Sequence, residues 1–66
     1  MYTITVNGEQ QQTEQVTVKA VLDDLQLTQG RYAVEINGEL IPKSELATTG
    51  VEQDMIIEVV QAVGGG

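Results

Sequence analysis

Three consecutive glycines, Gly64-Gly65-Gly66, close the chain after the apolar run Met55 to Val60, and the α-carboxylate at Gly66 is the least hindered reactive group on offer. Lacking Cβ atoms, such a segment can thread a channel too narrow for any other residue. Glycine loses more conformational freedom on ordering than any other residue, so the end is expected to stay flexible until a partner captures it. Extended at about 3.3 Å per residue, Gln61 to Gly66 would reach roughly 20 Å beyond Val60. Taken alone, the glycines fit a frayed end or a cloning scar equally well. The remaining chemistry is thin. With no Cys and no His, the usual zinc, haem and iron–sulfur ligand sets and the Cys–His and Ser–His nucleophile pairs are missing. The ten carboxylates are spread along the chain, and adjacent Asp23 and Asp24 on a helix would point in different directions. They read as a solvated acidic face, so neither a catalytic carboxylate pair nor a bound metal or cofactor is expected. The two Asn-Gly-Glu stretches lack the extra glycines, the lysine and the following helix of a phosphate loop.

The elements that must position that end fit one domain spanning residues 1–66, with 61–66 as its tail. A chain of this length buries roughly 60% of its unfolded surface, enough for one modest core. A net charge of −7, with only Lys19, Arg31 and Lys43 as cations, disfavours nucleic acid and anionic membranes as partners. It favours a protein partner with a basic rim, although acidity also serves solubility. The start, MYTITVNGE, has neither a basic region nor a long apolar one, and no apolar stretch approaches the ~20 residues of a membrane span. A cytoplasmic address is the expectation.

Tyr2, Ile4 and Val6 alternate with threonines as in a half-buried strand, and Asn7-Gly8 ends it with the strongest short hairpin signal. The returning segment, about Glu9 to Gln15, is polar and reads as a sheet edge. From Thr17, a natural N-cap, the period changes. Val18, Val21, Leu22 and Leu25 form one helical stripe, closed by Leu27 and Thr28-Gln29-Gly30, where Gly30 supplies the reversal. A second hairpin pairs Tyr32 to Ile36 with Glu39 to Ile41 through Asn37-Gly38. The shared VNGE and INGE stretches are one turn chemistry used twice rather than a duplication. Ser44 to Ala47 can make one capped helical turn, Thr48 to Gln53 is loop, and Met55 to Val60 is the most apolar strand.

The order β-β-α-β-β-β, with its most apolar strand last, places that strand inside a mixed sheet next to the first, with one helix packed across a face. This is the α+β β-grasp (ubiquitin-like) architecture. Met55, Ile57 and Val59 then face the helix with Ile4, Val6, Val34 and Ile36, while Ile56, Glu58 and Val60 face away. Ile56 and Val60, with Ala33 beside them, would present a small apolar patch suited to a protein partner.

With a β-grasp body and a diglycine end together, the sequence resembles the ThiS family of ubiquitin-like sulfur carriers over its whole length. The resemblance is carried by TVKAVLDDL after a polar strand, by AVEINGELIPKSELATT (33–49) and by the ending IEVVQAVGGG. It implies that Gly65 and Gly66 are the family's terminal Gly-Gly. An ATP-dependent E1-like adenylyltransferase would adenylate Gly66, and a sulfur-donor protein would supply the sulfur of a thiocarboxylate. Thiazole synthase would take that sulfur for the thiazole ring of thiamine. The chain is then a co-substrate rather than an enzyme. Two departures stand out: Gln53-Asp54-Met55 replaces the family's Gly-Asp turn, and Lys43 replaces a common arginine. The small subunit of molybdopterin synthase shares fold and chemistry, but is usually longer and carries prolines in its tail, whereas none follows Pro42 here. A protein modifier joined to lysines would also fit a β-grasp body with a free glycine end, as would a β-grasp binding module with an inert tail.

Overall fold

The computed structural model describes residues 1–62, so Gly64, Gly65 and Gly66 lie outside the described residues. In chain order the elements are β1 (Tyr2–Val6), β2 (Glu9–Thr13), α1 (Val18–Asp24), β3 (Tyr32–Ile36), β4 (Glu39–Ile41), a 3-10 turn at Lys43–Glu45, and β5 (Ile56–Gln61). The strands form one five-stranded sheet in the order β2-β1-β5-β3-β4. β5 runs parallel to β1 and antiparallel to β3, which makes the sheet mixed and puts the most apolar strand at its centre. The β-grasp expectation is therefore met.

Both hairpins turn where their Asn-Gly pairs stand, with Asn7 and Asn37 each at φ 51° and Gly8 and Gly38 at 84° and 85°, the double positive φ of a type I′ turn. Polar β2 lies at the sheet edge as expected and stops at Thr13, two residues short of Gln15. The sheet and helix faces close on one core, in which Ile4, Leu22, Val34, Leu46 and Ile57 are fully buried.

The helix starts as read and stops earlier. Thr17 Oγ1 accepts from Ala20 N–H at 3.2 Å. The 46–51 loop satisfies two more first-turn donors: Val18 N–H donates to Thr49 O at 2.9 Å and Lys19 N–H to Leu46 O at 3.1 Å. Helix ends leave such donors unpaired, so this loop completes α1 rather than merely following it. A Thr17–Gly50 bridge and the burial of Val51 fix it there. At the other end the helix terminates at Asp24, well before Gly30. Gln26 takes the left-handed conformation at φ 59°, its N–H donates to Asp23 O at 3.0 Å, and Leu27 N–H donates to Leu22 O at 2.9 Å. This paired closure normally selects glycine. Here the packing of the half-buried Leu27 against the core offsets the roughly 1 kcal/mol that a left-handed non-glycine residue costs. Gly30, at φ 69°, instead redirects the loop into β3.

The turn after Pro42 is 3-10 and has no side-chain cap at its start; the hydroxyls of Thr48 and Thr49 both donate to Glu45 O at its far end. Ahead of β5, Asp54 adopts φ 65° without a glycine. Its N–H donates to Thr3 O at 2.7 Å, and Thr5 N–H donates to Met55 O at 2.9 Å, which sets the register that Gln53-Asp54-Met55 leaves open in the sequence.

Candidate functional site

β5 is where the site begins, because it carries both the outward face and the route to the glycines. It is held on both flanks by the two turn asparagines. On the β1 side, Asn7 N–H donates to Ile57 O at 2.9 Å while its side-chain Oδ1 accepts from Val59 N–H at 2.7 Å. On the β3 side, Asn37 N–H donates to Ile56 O at 2.7 Å and its Oδ1 accepts from Ile56 N–H at 2.9 Å. Each asparagine thus supplies both the turn conformation and an acceptor that extends the ladder past the end of its own strand.

Side chains alternate across β5 as the sequence implies. Met55, Ile57 and Val59 are buried, whereas Ile56 is 50% and Val60 66% exposed. Ala33 is exposed directly opposite Val60, so the three residues expected to form an apolar patch do share the open face. The register adds two features the sequence reading missed. Glu35 and Glu58 stand directly opposite each other between those apolar positions, and Leu40, 66% exposed, stands opposite Glu35 on the next strand. Leu40 is readable in the sequence only as part of a short returning strand, since its row depends on a register that Asn37-Gly38 fixes.

Where β5 ends, Ala62 N–H donates to Arg31 O at 3.0 Å, so the chain is still tied to the start of β3 one residue beyond the strand. A shallow groove of about 260 Å³ lies there, lined by Arg31, Tyr32, Ala33, Val60 and Ala62. Lys43 Nζ, from the 3-10 turn, sits 4.2 Å from the centre of the Tyr32 ring of β3, a cation–π contact. The third cation, Lys19, pairs with Asp23 at 2.9 Å across one helical turn. Hydrogen bonds from the Thr28 hydroxyl and from Lys19 hold the Asp23 carboxyl below the ordinary carboxylate range, and the same contact raises Lys19. This cluster lies on α1, off the open face. Among the described residues no three acidic side chains converge to hold a cation, and no helix is long and apolar enough to cross a membrane.

A five-stranded β-grasp sheet with its last strand at the centre, one crossing helix and an open face of mixed apolar and acidic residues defines a ubiquitin-like domain. The family model matches residues 3–66, and the chain belongs to the ThiS family. It is 36% identical over 64 residues to a thiazole synthase of Paramagnetospirillum magneticum (strain ATCC 700264 / AMB-1). The match covers 96% of this chain, which spans only 20% of that relative's length. Among solved structures, the crystal structure of the thiamine biosynthesis protein (ThiS) from Geobacter metallireducens superposes with a TM-score of 0.78 at 28% identity, covering 97% of this chain and 99% of that one. A solution structure of a thiamine biosynthesis protein from the same organism gives 0.75, covering 97% and 87%.

Proposed function

We propose that the chain carries sulfur for the thiazole moiety of thiamine, with Gly66 as the acyl group that is loaded and unloaded. The carboxylate of Gly66 attacks the α-phosphorus of ATP on an E1-like adenylyltransferase, and pyrophosphate leaves. The terminal sulfur of a donor protein's persulfide then displaces AMP from the acyl carbon, a thiol cleaves the resulting acyl disulfide by exchange to leave the thiocarboxylate and a protein disulfide, and the thiocarboxylate passes its sulfur to thiazole synthase. The chain supplies the acyl group and its partners supply the catalytic residues. Gly64 and Gly65 lead Gly66 into the partner's channel, and Ile56, Val60 and Ala33 contact the partner's surface. One observation carries this reading: the ThiS family match runs through residue 66, on a body whose central strand leads toward that end.

The test is mass spectrometry after incubation with a cognate adenylyltransferase, ATP and a sulfur donor. The mass should rise by the exchange of one oxygen for sulfur, mapped to Gly66. Deleting Gly66 withdraws the carboxylate by about 3 Å, and acyl transfer needs the reacting atoms aligned at roughly 3–3.5 Å, so loading should collapse. Adding one alanine after Gly66 should block it as well. Loading of either variant at the parental rate would remove Gly66 from this role and leave a binding module with an inert end.

A further inference from the structure

The open face has a charge problem at its centre. Glu35 and Glu58 are directly opposite on antiparallel β3 and β5, where Cβ atoms stand about 4.5–5.5 Å apart and like charges oppose pairing. The register puts Val60 and Ala33 on one side of the pair and Leu40 beside Glu35; Ile56, two residues before Glu58 on the same face, stands on the other side. Among the described residues no cation neutralises them. Lys19 is taken by Asp23, Lys43 lies over Tyr32, Arg31 lines the groove beside Ala33 and Val60 and pairs with neither glutamate, and Lys19–Asp23 is the single ion pair among the described residues. Water screens the pair in the free protein, but a partner that covers the apolar positions strips that water away. An all-apolar cover would bury two uncompensated carboxylates, which association does not tolerate.

We infer, resting on the carrier reading above, that the adenylyltransferase seats an arginine between Glu35 and Glu58, framed by apolar groups against Ala33, Leu40, Ile56 and Val60. A guanidinium fits because its planar fork offers five donors and can serve two carboxylates at once, whereas a lysine is a single point charge. A second copy of this chain does not fit, because two such faces would bring four glutamates together between bodies of charge −7. The two acids therefore select the partner: a surface without the arginine is rejected by the same charges that hold the correct one.

Calorimetric titration of the full chain into its cognate adenylyltransferase, at about 0.15 M salt, tests this. Glu35→Gln/Glu58→Gln keeps shape and removes both charges; it should raise Kd roughly 30-fold or more, the scale of a desolvated charge pair. Glu9→Gln/Glu14→Gln makes the same change in net charge away from this face and should stay within about threefold, as remote screened charges do. Glu35→Lys creates an opposite-charge pair with Glu58, so it should melt higher than the parent and yet bind more weakly. A Kd within threefold of the parent for the double glutamine variant, or an equal loss in the control, overturns the arginine assignment. Self-association of the parent through this face, seen by sedimentation, overturns it too. Those results leave the carrier reading standing if the parent still gains sulfur at Gly66. A parent that binds but never gains sulfur overturns the carrier reading alone, and a parent that does not bind overturns both.

Discussion

The two turn asparagines make equivalent bonds in unequal surroundings, and that difference sets a measurable contrast. Replacing Asn7 with glycine keeps the left-handed turn, since glycine reaches φ near 51° freely, but deletes the oxygen that accepts from Val59 N–H at 2.7 Å. That donor is partly buried, so leaving it unpaired costs about 1–3 kcal/mol. Relief of the left-handed strain of a non-glycine residue, at most about 1 kcal/mol for asparagine, offsets part of this. Taking the middle of both ranges the net loss is about 1.5 kcal/mol, and at about 4–8 °C per kcal/mol for a domain of this size the melting temperature should fall by roughly 6–12 °C. Asn37→Gly removes the acceptor of Ile56 N–H, but that bond is exposed and water can take its place. Its cost should stay within about 0.5 kcal/mol, as for ordinary surface changes. Asn7→Asp retains an acceptor at the same reach and should keep most of the parental stability. Thermal melts of the three variants read all of this. Equal losses at positions 7 and 37, or a full-strength Asn7→Gly, would refute the idea that the side-chain acceptor, beyond the turn conformation, secures β5.

Val60→Asp should fold normally, since Val60 is 66% exposed, and should weaken binding to the proposed adenylyltransferase partner, which would have to dehydrate an added charge; titration and circular dichroism together check both halves. Asp23 is held below its ordinary range by Thr28 and Lys19, so its stabilising contribution is complete at neutral pH and is lost as pH falls through its folded value. Asp23→Asn should therefore melt slightly below the parent at pH 7, and the gap should close in acid, below the ordinary carboxylate value of about 3.9; a gap that persists at low pH would mean the carboxylate's charge is not the cause.

What the sequence reveals follows the range of the interactions involved. Period-2 alternation decides which side of β5 each residue faces, so Ile56 and Val60 are legible as outward residues, and Thr17 announces the helix start through a bond only three residues long. What stays hidden is mostly long-range. Thr48 to Gln53 reads as plain loop because its polar composition conceals that Val51 is buried and that Thr49 completes the helix from 31 positions away. Asn7 and Asn37 read as turn residues alone, since nothing local tells that their side chains bond to a strand 52 and 19 positions on. Glycine's preference for left-handed closure points to Gly30 as the helix end, whereas apolar contact of Leu27 with the core decides for Gln26. The Glu35–Glu58 opposition needs the register itself.

The placement of β5 also governs when the molecule becomes whole during synthesis. Each hairpin can close on itself, but Thr5 meets Ile56 only after the intervening chain is made, and contacts of such separation form late because loop closure precedes their reward. Until β5 emerges, the two hairpins have no strand to join them. The outward face is composite as well: Ala33 and Glu35 come from β3, while Ile56, Glu58 and Val60 come from β5. A nascent or truncated chain lacking the last strand therefore displays no complete face, and a partner that recognises the face engages only polypeptides whose translation has passed β5.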